Sequence, residues 1–141
     1  MLTLDGSELA EHSIPVAKTL ARRLNIPINL VRALYMNYMV PPISEADDVL
    51  QELLAHDARL ANEYLSTVSA KLMAEGIDVS ITVEEGTPYE VVQSIAKPGD
   101  VVVLTSHGRS GIKRWLLGSV AEKLMRSSSV SVLLVPVTSG A

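Results

Sequence analysis

Apolar residues along this chain switch between short β-branched runs and a three-to-four-residue repeat, and each switch marks an element. Met1, Leu2, Thr3 and Leu4 read as the end of a strand. Asp5-Gly6-Ser7 is a turn in which Asp5 or Ser7 can cap a helix. Leu9, Val16, Ala17, Leu20 and Leu24 then recur at helical spacing, and Pro15, inside that helix, should bend it near Glu11. Residues 27–34 are apolar and β-branched, as in a buried strand. Residues 35–42 read as a loop that Pro41 and Pro42 stop. Ser44, with Asp47 three positions on, resembles a capping box. A long amphipathic helix follows from Ala46 through Val49, Leu53, Leu65 and Leu72, and Gly76 ends it.

Ile77, Val79, Ile81 and Val83 alternate with polar residues, the pattern of a half-exposed strand. Thr87-Pro88-Tyr89-Glu90 is a helix start: a cap residue, proline at the first helical position and Glu at the third. Val91, Val92 and Ile95 give that helix its buried face, and Lys97-Pro98-Gly99-Asp100 ends it. Residues 101–104 form a fully buried strand, residues 119–125 a helix and residues 130–137 a last strand. Strands alternating with helices, joined by right-handed crossovers, predict the α/β class. The expected architecture is Rossmann-like: a single open five-stranded parallel sheet of order 3-2-1-4-5, with helices on both faces, in one domain spanning residues 1–141.

Composition narrows the picture. The apolar share of 48% is enough for a packed core, and with no Phe and one Trp that core must be aliphatic. A net charge of −4 argues against a nucleic-acid partner, which calls for a basic face. The lack of cysteine excludes disulfides, zinc fingers and thiol catalysis, and fits a reducing cytoplasm. No apolar run approaches the ~18 residues of a membrane span. The N-terminus has no basic segment followed by an apolar one, so neither a membrane partner nor a signal peptide is expected.

The chemistry concentrates after the strand at residues 101–104. There Thr105, His107, Gly108 and Arg109 lead through a loop to Gly118-Ser119-Val120 and a helix. Glycines let backbone approach an anion closely, and the N–H groups of a helix start point at it. Ser119 stands where an N-cap hydroxyl is expected. Arg109, Lys113 and Arg114 add positive charge. In such sheets ligands bind beyond the carboxyl ends of the strands where the order reverses, which pairs this loop with Asp5-Gly6-Ser7. A solvated loop in which the glycines only shape a turn accounts for the spacing equally well. The loop has no Gly-Lys-Ser or Gly-Lys-Thr, so it is not a Walker phosphate loop. No sharp Ser turn with flanking glycines suggests a hydrolase triad. His107 is read as shaping the loop, and His12 and His56 fall on helix surfaces with no metal-ligand spacing.

The stretch from Ser106 to Met125 resembles the signature of the universal stress protein family: Gly, two residues, Gly, nine residues, then Gly-Ser or Gly-Thr. Gly108, the nine residues 109–117 and Gly118-Ser119 match its longer part. The first turn at Asp5-Gly6-Ser7 and the closing Val132-Leu133-Leu134-Val135-Pro136 are similar too. The resemblance implies the open five-stranded sheet, a dimer and, in its ATP-binding branch, an adenine-nucleotide site. Carried over by position, that site comprises Leu4, Asp5, Ala33, Thr105, His107, Gly108, Arg109, Gly118, Ser119 and Val120. Asp5 would meet the nucleoside, Ala33 the base, and Gly108, Gly118, Ser119 and Val120 the phosphates. The implied ligand is ATP, or AMP or ADP, with Mg accompanying ATP.

Three positions depart from the family pattern. Thr105 replaces the first glycine of the signature, and its β-branch is expected to narrow the approach of the ribose or first phosphate. Only four residues precede Asp5, so the first strand should be short or the chain truncated relative to its relatives. Ser127-Ser128-Ser129-Val130-Ser131 alters the turn before the last strand. The function expected is a cytoplasmic, nucleotide-binding stress-response regulator, not a fast enzyme, that dimerises through residues 130–137. A slow ATPase and a nucleotide-free dimeric interaction module are the alternatives.

Overall fold

A computed structural model of the chain describes residues 1–35, 46–107, 117–127 and 129–137. The loop ending at Pro41 and Pro42, the Ser44 cap, and Gly108, Arg109, Lys113, Arg114 and Trp115 lie outside the described residues.

The elements run β1 (Leu2–Thr3), α1 (Glu8–Glu11), α2 (Ile14–Leu24), β2 (Ile28–Leu34), α3 (Ala46–Ala74), β3 (Val79–Glu85), α4 (Pro88–Ile95), β4 (Val101–Thr105), α5 (Ser119–Ser127) and β5 (Ser131–Val135). The five strands form one parallel sheet of order β3-β2-β1-β4-β5. The expected strand order and α/β class are those observed. β1 is the short central strand: Leu2 pairs with Leu30 on one side and Val103 on the other. The ladder extends past it through Leu4 N–H to Val31 C=O and Val103 N–H to Met1 C=O.

Successive residues of a strand point to opposite faces, and the core divides accordingly. Val103 packs with Leu2, Leu30, Ala17, Ala21, Leu65 and Leu72 on the α2–α3 face. Its neighbours Val102 and Leu104 pack with Val92, Ala121 and Leu124 on the α4–α5 face. Helices therefore cover both faces, and the buried side chains of both clusters are aliphatic, with Tyr64 and Tyr89 packed at their margins.

Three local expectations change. The helix around Pro15 is not bent but divided: α1 stops at Glu11, and α2 restarts with Pro15 in its first turn, where a missing N–H costs nothing. Ser13, fully buried at the break, donates to Ala10 C=O. The strand expected from Ile77 starts instead at Val79 and runs on to Glu85, because β2 pairs with it through Leu34. Ile77 belongs to the end of α3. Its N–H reaches Leu72 C=O and that of Gly76 reaches Met73 C=O, with Gly76 at φ +81. That double closure is a Schellman stop, and it buries Ile77 against the helix it ends. The last strand is shorter than residues 130–137, spanning Ser131–Val135.

Candidate functional site

The direction of strand addition reverses between β1 and β4: β2 and β3 add on one side, β4 and β5 on the other. Connections leaving two neighbouring strands in opposite directions open a crevice at their carboxyl ends. A cavity of about 500 Å³ lies there, a size suited to a small organic ligand.

The β1–α1 turn forms one wall through Leu4 and Asp5. Asp5 Oδ1 accepts from Ser7 N–H at 2.9 Å and from Ser7 Oγ at 2.6 Å, while Ser7 Oγ accepts from Ala10 N–H at 3.1 Å. Ser7 is therefore the cap of α1, and Asp5 orients it. Gly6 turns the chain at φ +83, and a Cβ there would stand 3.0 Å from Arg32 Nη1. The end of β2 supplies Ala33.

The opposite wall is the β4–α5 region. Thr105, His107, Gly118, Ser119 and Val120 all line the cavity. Thr105 is buried, and its hydroxyl donates to His107 C=O at 2.7 Å. The side chain expected to crowd the site is thus engaged with the main chain of the same wall. Gly118 N–H donates to Ser106 C=O at 2.7 Å. A Cβ on Gly118 would lie 2.9 Å from that carbonyl oxygen, so only glycine fits this junction without a backbone shift. Glu122 N–H bonds Gly118 C=O, making Gly118 the capping position and Ser119 the first helical residue. The expected Ser119 N-cap is corrected on that register. Ser106 ties the wall to the sheet edge: its N–H donates to Val135 C=O at 2.9 Å, and its Oγ accepts from Val137 N–H at 3.1 Å. His107 Nδ1 lies 3.1 Å from the same Oγ, and His107 Nε2 is buried without a hydrogen-bond partner.

All eight described residues of the expected site thus line one cavity: Leu4, Asp5, Ala33, Thr105, His107, Gly118, Ser119 and Val120. The structure adds Arg32, Asp57 and Leu60 to the walls. Arg32 is the one charged position of β2, which alone does not tell a cavity wall from a solvated strand end; Asp57 and Leu60 sit mid-helix with no signal to mark them. The Arg32 guanidinium lies 5.7 Å from the Tyr64 ring centroid. Tyr64 donates to Glu11 Oε1 at 3.0 Å. Its burial, helped by Glu11 and by the Asp5 charge and opposed by Arg32, holds the phenol protonated well above its ordinary range. Among the described residues no three His, Asp or Glu side chains converge to hold a metal ion. Nor is any described helix long and apolar enough to cross a membrane.

A doubly wound sheet with a cavity at its switch point, walled by a glycine-capped helix start, has the α/β arrangement in which open parallel sheets place their ligands. Comparison with known proteins gives it a family. The model of the universal stress protein family matches residues 1–136. Universal stress protein MJ0531 of Methanocaldococcus jannaschii is 31% identical over 147 residues, covering 96% of this chain and 79% of its own length. Universal stress protein Sll1388 of Synechocystis is 25% identical over 146 residues, covering 96% and 95%. Among solved structures, the M. jannaschii protein MJ0577 superposes with a TM-score of 0.85 at 24% identity, over 99% of this chain and 95% of that one. A universal stress protein in complex with cAMP superposes with a TM-score of 0.59 at 22% identity, over 97% and 94%. The chain belongs to the universal stress protein family.

Proposed function

We propose that this protein is a regulator that binds an adenine nucleotide in the switch-point cavity, with ATP, or AMP or ADP, acting as a conformational ligand. The observation that carries the reading is the contact of Gly118 with Ser106. It brings bare backbone to the start of α5, against a cavity of about 500 Å³. N–H groups in a first helical turn lack intrahelical partners and favour anions. Ser119 and Val120 would hold the phosphates through their N–H groups, with Gly118, whose own N–H is bonded to Ser106 C=O, leaving room for the approach. Asp5, next to Leu4, would hold the ribose, and Ala33 would lie against the base. Thr105 and His107 complete the wall. Gly108 and Arg109, outside the described residues, join the site on the family resemblance alone. The adenine preference is supported by the family member of the same fold that binds cAMP. Bound ATP would bring Mg²⁺ with it and supply the negative charge to which these donors respond.

The protein would act in the cytoplasm as one domain over residues 1–141 and as a homodimer through the edge strand at residues 130–137. Chromatography of small molecules released by heat from the purified protein tests the reading. Recovered ATP or AMP supports it. Recovered ADP favours slow hydrolysis. A protein that arrives empty and shows no calorimetric ATP binding is an interaction module instead.

A further inference from the structure

We propose that His107 is a ligand-positioning residue that presents its Nε2–H to an oxyanion at the α5 end of the cavity, in a tautomer set from the sheet edge by Val137 and Ser106. The identity of the oxyanion, a nucleotide phosphate, rests on the reading above; the tautomer does not.

The inference follows from hydrogen-bond accounting. Ser106 is buried, 9% exposed, so its hydroxyl must find partners within the protein. Val137 N–H donates to Oγ at 3.1 Å, taking one of its two acceptor positions. The hydroxyl proton then needs an acceptor, and among the described residues its one other hydrogen-bond neighbour is His107 Nδ1, 3.1 Å away. Nδ1 therefore accepts and carries no proton. In a neutral imidazole the proton must then be on Nε2, which becomes a donor. That atom is buried and unpartnered.

The surroundings say what would accept it. His107 lines the cavity. The backbone beside it is pinned twice, by Thr105 Oγ1 donating to His107 C=O at 2.7 Å and by Gly118 N–H donating to Ser106 C=O at 2.7 Å. His107 Cα is 3.6 Å from where a Gly118 Cβ would be, so the residue stands at the threshold of α5. A helix start and a desolvated N–H side by side suit an acceptor that bears negative charge. A nucleotide phosphate and free inorganic phosphate share that chemistry. The same relay joins the cavity wall to Val137 just past β5, so the donor is set by main chain at the sheet edge.

Nitrogen-15 NMR of the imidazole groups tests the tautomer. The chain has three histidines, and the His107→Gln spectrum identifies the signal of His107. A neutral ring protonated at Nε2 is expected, with the preference weakened in Ser106→Ala; a ring protonated at Nδ1 overturns the proposal. Calorimetry with ATP, adenosine and inorganic pyrophosphate tests the contact. His107→Leu should lose about tenfold in ATP affinity and keep its adenosine affinity. His107→Gln, which retains a donor at the same reach, should stay within about threefold of the parent. Equal losses for ATP and adenosine would mean a structural role and overturn the proposal. Pyrophosphate binding without any effect of adenosine would assign the site to free phosphates. A parent that binds neither ATP nor adenosine removes the nucleotide reading alone. The Nε2 signal with pyrophosphate then decides the donor, a shift sustaining it and an unmoved signal overturning it.

Discussion

The carbonyl oxygen of Ser106 stands 2.9 Å from the point a Gly118 Cβ would occupy, and 2.7 Å from the Gly118 nitrogen that donates to it. One glycine thus joins the end of β4 to the start of α5 and keeps a wall of the cavity in bare backbone. A side chain at position 118 would push the two segments apart before any ligand arrived. Gly118→Ala is expected to lose about 1–3 kcal/mol of stability, the usual cost of overpacking, and more than tenfold in ATP affinity. Urea denaturation and calorimetry on the same preparation read the two effects. A variant as stable as the parent would show that the junction yields, and one that also binds ATP unchanged would move the site elsewhere.

Thr105 sets two effects against each other. Its β-branch stands where the family signature has glycine, which by itself predicts tighter binding in Thr105→Gly. Its hydroxyl, however, is bonded to His107 C=O at 2.7 Å inside a buried wall. Removing that bond and admitting a glycine loosens the segment that must meet the ligand. The net expectation is a loss of about fivefold in ATP affinity for Thr105→Gly, with Thr105→Ser close to the parent. Tighter binding by the glycine variant would mean that crowding outweighs support.

Much of this site was legible in the sequence, for a physical reason. Alternating β-branched runs and helices with right-handed crossovers dictate a parallel sheet; its order came from the family resemblance, and a reversal of order dictates where two loops meet. Asp5 and Gly118, more than a hundred residues apart, could therefore be assigned to one crevice. Arg32, Asp57 and Leu60 could not. A charge near a strand end and a helix residue facing outward look the same whether the face meets solvent or a cavity. The division of the first helix was hidden too, because Pro15 serves as a bend or as a first-turn residue depending on whether Ser13 is buried. Ser119 was misread by one position, since the Gly118 carbonyl, not a hydroxyl, begins the hydrogen bonding of α5.

Tyr64 gives a pH signature. Burial first, then its bond to Glu11 and the nearby Asp5 charge, favour the neutral phenol in the folded chain. The folded protein therefore holds this proton more tightly than the unfolded one. The resulting stabilisation is complete below the ordinary phenol value of about 10 and falls away as pH rises beyond it. Ultraviolet titration should show one of the four tyrosines lagging behind the others, and the lag should be absent in Tyr64→Phe. A parent whose tyrosines all ionise together near the ordinary value would contradict the Tyr64–Glu11 hydrogen bond.

Dimer formation is expected at the edge of the sheet, through the outer side of β5. β5 lies at the end of the order β3-β2-β1-β4-β5, so one side of its backbone is unpaired within the sheet. A second copy related by a two-fold axis would extend the ladder and close both edges at once. Val135, inside the segment 130–137 expected at that contact, packs into the core on the α2–α3 face and is 9% exposed. A charge at Val135 would unfold the chain and say nothing about assembly. Ser131 is the better probe, because it is exposed and lies within the edge strand. Ser131→Lys places on the edge the residue that natural sheets use to discourage pairing. Light scattering at micromolar concentration should find a dimeric parent and a monomeric variant, with the variant's unfolding midpoint within a few degrees of the parent's. A parent that is already monomeric would remove the proposed interface. A variant that remains dimeric would relocate it to another face of the molecule.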